Sequence, residues 1–346
     1  FDFPTVLIEE NLYSLELFHG PTMAFKDVGA KFMSGCMNYF IETENLKRKI
    51  TVLVATSGDT GGAVANGFLG VDGVDVVILY PKGRVSEIQE LQLTTLGKNV
   101  SALEIDGYFD ECQEMVKKSF LDSDLNKKLM LTSANSINIA RWIPQMLYYF
   151  IAYKNLNIEN LKVVFSVPSG NFGNLCAGML AKKMGLPINH FVASTNKNDT
   201  VPNFMKTGEY KKQKTISTIT NAMDVGDPSN FVRILKLYNN DFQKLKKELT
   251  AYSFSDKETI SGMQELYFKS KYLLDPHGAT AYLGLKKYLL NNPREIGVFL
   301  ETAHPIKFLE TVENAIEKKI RIPEKILKLR KKKKEKTSIK NYKELK

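Results

Sequence analysis

Short, largely apolar runs that end in glycine-rich turns constrain the architecture of this chain most. Residues 51–55 (TVLVA), 74–80 (VDVVILY) and 162–167 (KVVFSV) lack the polar–apolar alternation of a strand with one wet face. Runs of this kind have both faces covered. Further strands are read at 101–105, 129–132, 190–194 and 297–301. Helices are read between them at 62–70, 85–96, 109–120, 137–153 and 174–184. Strand–helix alternation of this kind predicts α/β folding, with mostly parallel sheets flanked by helices. Residues 196–260 are less regular and rich in Lys, Asn and Thr, and read as a loop-bearing insertion.

At 346 residues the chain is long enough for two domains. Its net charge of +10 is unevenly placed, because residues 324–346 carry 11 Lys/Arg against 3 Glu, which leaves only +2 for the rest. The basicity is therefore a tail, expected to be solvated and frayed. No aromatics interleave with the lysines of residues 328–336 and no reading motif is present, which argues against nucleic acid. Polyanion binding through the tail stands as the alternative from a different functional class. Cys36, Cys112 and Cys176 are odd in number and share no CxxC spacing, so neither a disulfide framework nor a metal site is expected. A reducing, cytoplasmic setting follows. No apolar run approaches the roughly 18 residues that cross a bilayer, and the stretch 142–153 contains Pro144 and Gln145 and reads as a buried helix.

Four segments carry chemistry. Lys26 follows a Gly20-Pro21 turn and Phe25, a setting in which a desolvated amine can attack an aldehyde. Residues 167–174 (VPSGNFGN) follow a strand and open a helix, so main-chain amides and the helix N-terminus can cradle a phosphate. The run fits neither GxGxxG nor GxxxxGK[ST], which argues against a dinucleotide or a nucleoside triphosphate. Residues 55–63 (ATSGDTGGA) form a similar junction suited to a carboxylate or phosphate, or to simple capping by Ser57 or Asp59. Thr302, just past the strand at 297–301, could hydrogen-bond a ring nitrogen without protonating it.

These four runs, with residues 133–145 (SANSINIARWIPQ), 221–225 (NAMDV) and 275–280 (DPHGAT), resemble the threonine synthases of the fold-type II pyridoxal-phosphate family. The similarity spans about residues 15–322. The resemblance implies pyridoxal 5'-phosphate bound covalently at Lys26, with its phosphate held by Gly170, Asn171, Phe172, Gly173 and Asn174. Thr302 would face the ring nitrogen. Ser57, Gly58, Asp59 and Thr60 would hold the substrate carboxylate, and Asn135, Ser136, Asn138 and Arg141 the phosphate of O-phospho-L-homoserine, with His277 also near substrate. His19 and His304 are given structural roles and His190 is read as a strand residue. The implied reaction yields L-threonine and phosphate, and a phospho-lyase on the same substrate is the nearest alternative. The implied division is a large domain of residues 1–50 and 150–323, whose N-terminal part would extend beyond Phe1, a small domain of 51–149, and a tail of 324–346 outside the family pattern. A monomer or homodimer that takes only small molecules is expected.

Overall fold

The computed structural model describes residues 1–157 and 161–346. In chain order the strands are β1 (Thr5–Glu9), β2 (Leu12–Glu16), β3 (Ile50–Ala55), β4 (Val74–Pro81), β5 (Val100–Ile105) and β6 (Met130–Ser133). They continue with β7 (Val163–Pro168), β8 (Ile188–Thr195), β9 (Leu249–Ser253), β10 (Ile296–Glu301) and β11 (Thr337–Ile339). The described residues divide into two compact units, Phe1–Phe25 with Trp142–Ile320, and Lys26–Arg141 with Arg321–Lys346.

The first unit holds a six-stranded sheet in the order β1-β2-β10-β7-β8-β9. Only the β1–β2 pair is antiparallel. Every residue of β7 and β10 is buried, Ser166 and Glu301 included, in keeping with their largely apolar character. The helix Pro276–Leu289 covers this sheet, packing Ala279, Tyr282 and Leu285 with Val164, Val192 and Phe299. Asp275 caps that helix by accepting the amides of His277 and Gly278, and Pro276 occupies the first helical position, where no amide is needed.

The second unit holds an all-parallel sheet in the order β11-β5-β4-β3-β6. Val52, Val54, Val76 and Ile78 pack with Phe68 on one face, and Leu53, Ala55, Leu79 and Ile105 with Cys112 and Val116 on the other. Each wholly buried aliphatic side chain of this kind contributes roughly 1.5–3 kcal/mol.

Several expectations need revision. The helix read over residues 137–153 is interrupted: Ile139–Trp142 is helical, Ile143–Gln145 forms a 3₁₀ turn, and Met146–Leu156 resumes. Pro144, which has no amide to donate, sits in the break. The helix Lys26–Thr43 belongs to the second unit, where Met33 packs with Val64 and Phe68, so residues 26–50 do not group with the first. The lysine-rich segment is not frayed. Glu324–Arg330 is helical, β11 adds to the edge of β5, and Ile339 enters the core beside Ile105 and Cys112. Lys328, Lys334, Lys336 and Lys346 pair with carboxylates, which a composition-based reading cannot register. β1, β2, β9 and β11 were not foreseen, being short and, β2 apart, largely half-buried or exposed.

Candidate functional site

Within the first unit, the segment before Lys26 is fixed by main chain. Phe25 donates its amide to the Thr302 carbonyl at 2.9 Å, His304 donates to the Met23 carbonyl at 3.0 Å, and Ala24 bridges Ala303 in antiparallel fashion. The turn ahead is held by Lys307, wholly buried, whose Nζ donates to the Thr22 carbonyl at 2.9 Å. Thr302, placed just past the end of β10, is 6% exposed. Lys26 itself is half-buried and is the first residue of the Lys26–Thr43 helix, in the second unit. The partial positive charge of helix amides at that end opposes a charged ammonium.

Residues 170–174 link β7 to the helix Gly173–Lys183. Phe172 caps that helix in a left-handed conformation, φ 60° and ψ 12°, which is uncommon for a non-glycine residue. The first amide of this helix to find the helical register is Cys176, which donates to the Phe172 carbonyl at 2.9 Å. The amides ahead of it face outward at the helix start, the arrangement that binds anions. Gly170 is required by close approach: a Cβ there would lie 2.8 Å from both the Ala222 carbonyl oxygen and Met223 Cα. Asn174 is 6% exposed, and its Oδ1 accepts the hydroxyls of Tyr148 and Tyr149 at 2.5 and 2.7 Å. Its Nδ2 is buried with no hydrogen-bond partner. A buried donor left open beside a helix start suits an anionic group, so the residues fit a cofactor phosphate.

Behind this loop lies a buried network. His277, 3% exposed, donates from Nδ1 to Asp275 at 2.6 Å, while its Nε2 accepts the Ala222 amide at 3.3 Å. Both ring nitrogens are thus committed within the protein. Asp275 also donates its amide to Glu301 Oε1 at 2.6 Å. Burial, followed by the neighbouring Asp275 charge, holds the Glu301 carboxyl well above the usual carboxylate range. Asp224 accepts from Thr218, Asn196 and Asn198, yet burial pushes it up to about 6.

Within the second unit, β3 ends at the turn carrying Ser57, Gly58, Asp59 and Thr60. Thr56 Oγ1 accepts the amides of Gly58 at 2.9 Å and Gly61 at 2.8 Å, which folds the turn back onto the helix start. Gly58 has φ +131°, a conformation few other residues adopt. Asp59 is buried and accepts from Gln89 Nε2 at 2.9 Å. The loop after β6 carries the other predicted group. Asn135 spends its carboxamide on the main chain of Ala55, and Asn138 on Ser133 and Ala140. Ser136 is half-buried, and Arg141 is 3% exposed and donates to the Ala134 carbonyl. Burial lowers the Arg141 pKa to about 10, against the opposing charge of Asp27.

The remaining histidines are accounted for locally. His19 is exposed and paired with Glu16, His304 accepts the Ile306 amide, and His190 bonds Thr250 and Lys247. Among the described residues no cluster of His, Cys, Asp and Glu could hold a metal, and no helix is long and apolar enough to cross a membrane. Gln89 and Lys307 escaped the sequence reading. For Gln89 a signal existed, because Ser86-x-x-Gln89 is a capping box and both of its bonds form.

Comparison with known proteins gives the family. A family model for pyridoxal-phosphate-dependent enzymes matches residues 7–299, and one for the C-terminal region of threonine synthase matches residues 279–346. The second match takes in the lysine-rich segment, which therefore lies inside the family pattern. Threonine synthase of Buchnera aphidicola subsp. Acyrthosiphon pisum is 48% identical over 322 residues, covering 93% of this chain and 73% of the relative. That of Escherichia coli K12 is 46% identical over 327 residues, covering 94% and 74%. The crystal structure of threonine synthase from Escherichia coli superposes with a TM-score of 0.93 at 43% identity, covering 100% of this chain and 79% of that one. The pyridoxal-phosphate-bound threonine synthase from Brucella melitensis gives 0.91 at 35% identity, covering 99% and 79%. On family models, sequence and architecture alike, the chain belongs to the threonine synthase family of pyridoxal-phosphate-dependent enzymes.

Proposed function

We propose that this chain converts O-phospho-L-homoserine and water to L-threonine and phosphate, with pyridoxal 5'-phosphate as its cofactor. The observation that carries the reading is the loop at 170–174, where backbone too crowded for a Cβ lies beside an open, buried Asn174 donor. The bound cofactor supplies an electron sink that makes protons at Cα and Cβ of an amino acid removable.

The residues divide the remaining work. The amides from Gly170 to Asn174 and the Asn174 carboxamide hold the cofactor phosphate. Thr302 offers the ring nitrogen a hydroxyl, which hydrogen-bonds without surrendering a proton. Lys26 would anchor the cofactor and, once the substrate amine takes its place, would move protons: off Cα and, after passing that one on, off Cβ, then onto Cγ, which becomes the methyl carbon as phosphate departs, and back onto Cα. The Ser57–Thr60 turn presents amides and hydroxyls to the substrate carboxylate.

For the substrate phosphate, the Arg141 guanidinium and the Ser136 hydroxyl supply the contacts. Asn135 and Asn138, occupied with main chain, shape the loop that carries them. His277, with both nitrogens engaged, holds the Asn221–Met223 turn against the cofactor loop instead of touching substrate. Free thiols at Cys36, Cys112 and Cys176 suit a reducing compartment, and we assign the cytoplasm.

The tail does not favour polyanion binding as the function, because Arg330, Lys334 and Lys336 are paired with Glu87, Glu90 and Glu104. The deciding experiment incubates purified protein with O-phospho-L-homoserine and quantifies products. Threonine equimolar with phosphate supports the synthase reading, and a 2-keto acid in its place overturns it.

A further inference from the structure

The basic C-terminal segment is fastened to one element, the helix Glu87–Thr94. Arg330 grips Glu87 through two bonds, Nε to Oε1 at 2.9 Å and Nη2 to Oε2 at 2.6 Å. Lys334 and Lys336 both pair with Glu90 on the same helix. Lys336 also reaches Glu104 on β5 at 2.6 Å, and Glu104 is only 4% exposed. The main chain joins in, with the Glu335 amide donating to the Thr94 carbonyl at 2.6 Å where the helix ends. β11 then runs beside β5 and buries Ile339. A strap therefore crosses this helix from its first turn to its last residue and is anchored in the sheet beyond it.

The opposite side of the same helix meets the turn at Ser57–Thr60. Gln89 is wholly buried. Its Oε1 accepts the Ser86 amide at 3.0 Å, and its Nε2 donates to Asp59 Oδ1 at 2.9 Å. The Gln89 carboxamide lies so close to Gly58 that a Cβ on Gly58 would fall 2.4 Å from Gln89 Cδ. Position 58 thus combines a φ that favours glycine with close packing against the Gln89 carboxamide, which would have to move to admit a Cβ. The links run in one line: strap to helix by ion pairs, helix to turn by Gln89, and turn to its own helix start by Thr56.

We propose that Gln89 is a positioning residue for the substrate-carboxylate turn, and that the C-terminal strap sets its position by clamping the helix that carries it. This rests on the reading of Ser57–Thr60 as the carboxylate turn. The basic segment is then an internal brace for substrate binding and not a surface for an external partner. Its pairs matter because they are partly buried and act together, unlike single exposed ion pairs.

The test uses the holoenzyme with Lys336→Met, Gln89→Met and, as control, Lys331→Met on an exposed lysine of the same segment. Two quantities are measured: deuterium exchange in the peptide spanning residues 56–62, with the β4 peptide as reference for global opening, and the separate kcat and KM for O-phospho-L-homoserine. Gln89→Met removes a hydrogen bond to a buried carboxylate and should speed exchange at 56–62 and raise KM by roughly tenfold or more. Lys336→Met should shift both the same way by about threefold, with β4 exchange unchanged, and Lys331→Met should shift neither. Exchange at 56–62 unaffected by Lys336→Met and Gln89→Met overturns the brace. Faster exchange with unchanged KM overturns the assignment of the turn to the substrate carboxylate, and with it the positioning role. Deleting residues 324–346 is the less informative variant, because it exposes the β5 edge and Cys112 and can unfold the unit.

Discussion

Replacing Gly170 with Ala tests the phosphate cradle directly. The new Cβ would stand 2.8 Å from the Ala222 carbonyl oxygen and from Met223 Cα, against the 3.4 Å at which ordinary contact begins, so 3.4 − 2.8 = 0.6 Å must be found. Backbone lies on the far side, so no side-chain tip can swing away. The Ala222–Met223 segment cannot retreat freely either, since His277 holds the Ala222 amide and Met223 is buried. The loop itself must move. Overpacking of this kind costs about 1–3 kcal/mol. Where that cost falls on the bound geometry, cofactor affinity drops by roughly five- to 150-fold. The assay titrates cofactor-free protein with pyridoxal 5'-phosphate, followed by absorbance, and repeats the titration with pyridoxal, which lacks the phosphate. Affinity should fall for the phosphorylated ligand and change little for pyridoxal. Equal losses for both ligands, or no loss for either, would refute the assignment of this loop to the phosphate.

Other expectations can be checked on the same protein. Asn174→Ala strands the buried hydroxyls of Tyr148 and Tyr149 and should cost about 2 kcal/mol or more by chemical denaturation. Tyr149→Phe removes a donor instead of stranding one and should cost less. His190 is pushed down to about 4 by burial, so the folded state prefers the neutral ring. Its contribution is complete above the unfolded value near 6.5 and is lost as pH falls toward 4. Between pH 7 and pH 5 the protein should therefore lose about 2 kcal/mol relative to a His190→Gln variant, and parallel stability profiles would contradict this. Lys26→Ala should abolish turnover and the cofactor absorbance band together.

The strand core was legible because a parallel sheet buried on both faces leaves largely apolar runs without alternation, and β3, β4 and β7 fall on theirs within a residue. β1 escaped because it is an edge strand with half-exposed residues. The tail was misread for an electrostatic reason. Eleven basic residues in one stretch look solvated by composition, yet the carboxylates that neutralise part of them lie far away in sequence, at Glu87, Glu90 and Glu104. Local patterning carries no information about such partners. At the candidate site, residue identity and chain order were readable, but the direction of each polar atom was not. Asn135, Asn138 and His277 were expected at the substrate, and their hydrogen bonds go to the protein's own main chain or to Asp275. Gln89 was overlooked because its importance depends on a contact with Gly58 that only folding creates.

Reduction of the purified holoenzyme with borohydride, followed by peptide mass mapping, bears most directly on the central claim. The account predicts that the reduced cofactor adduct appears on the peptide containing Lys26. An adduct confined to another lysine, or a protein that carries none after incubation with pyridoxal 5'-phosphate, would contradict it.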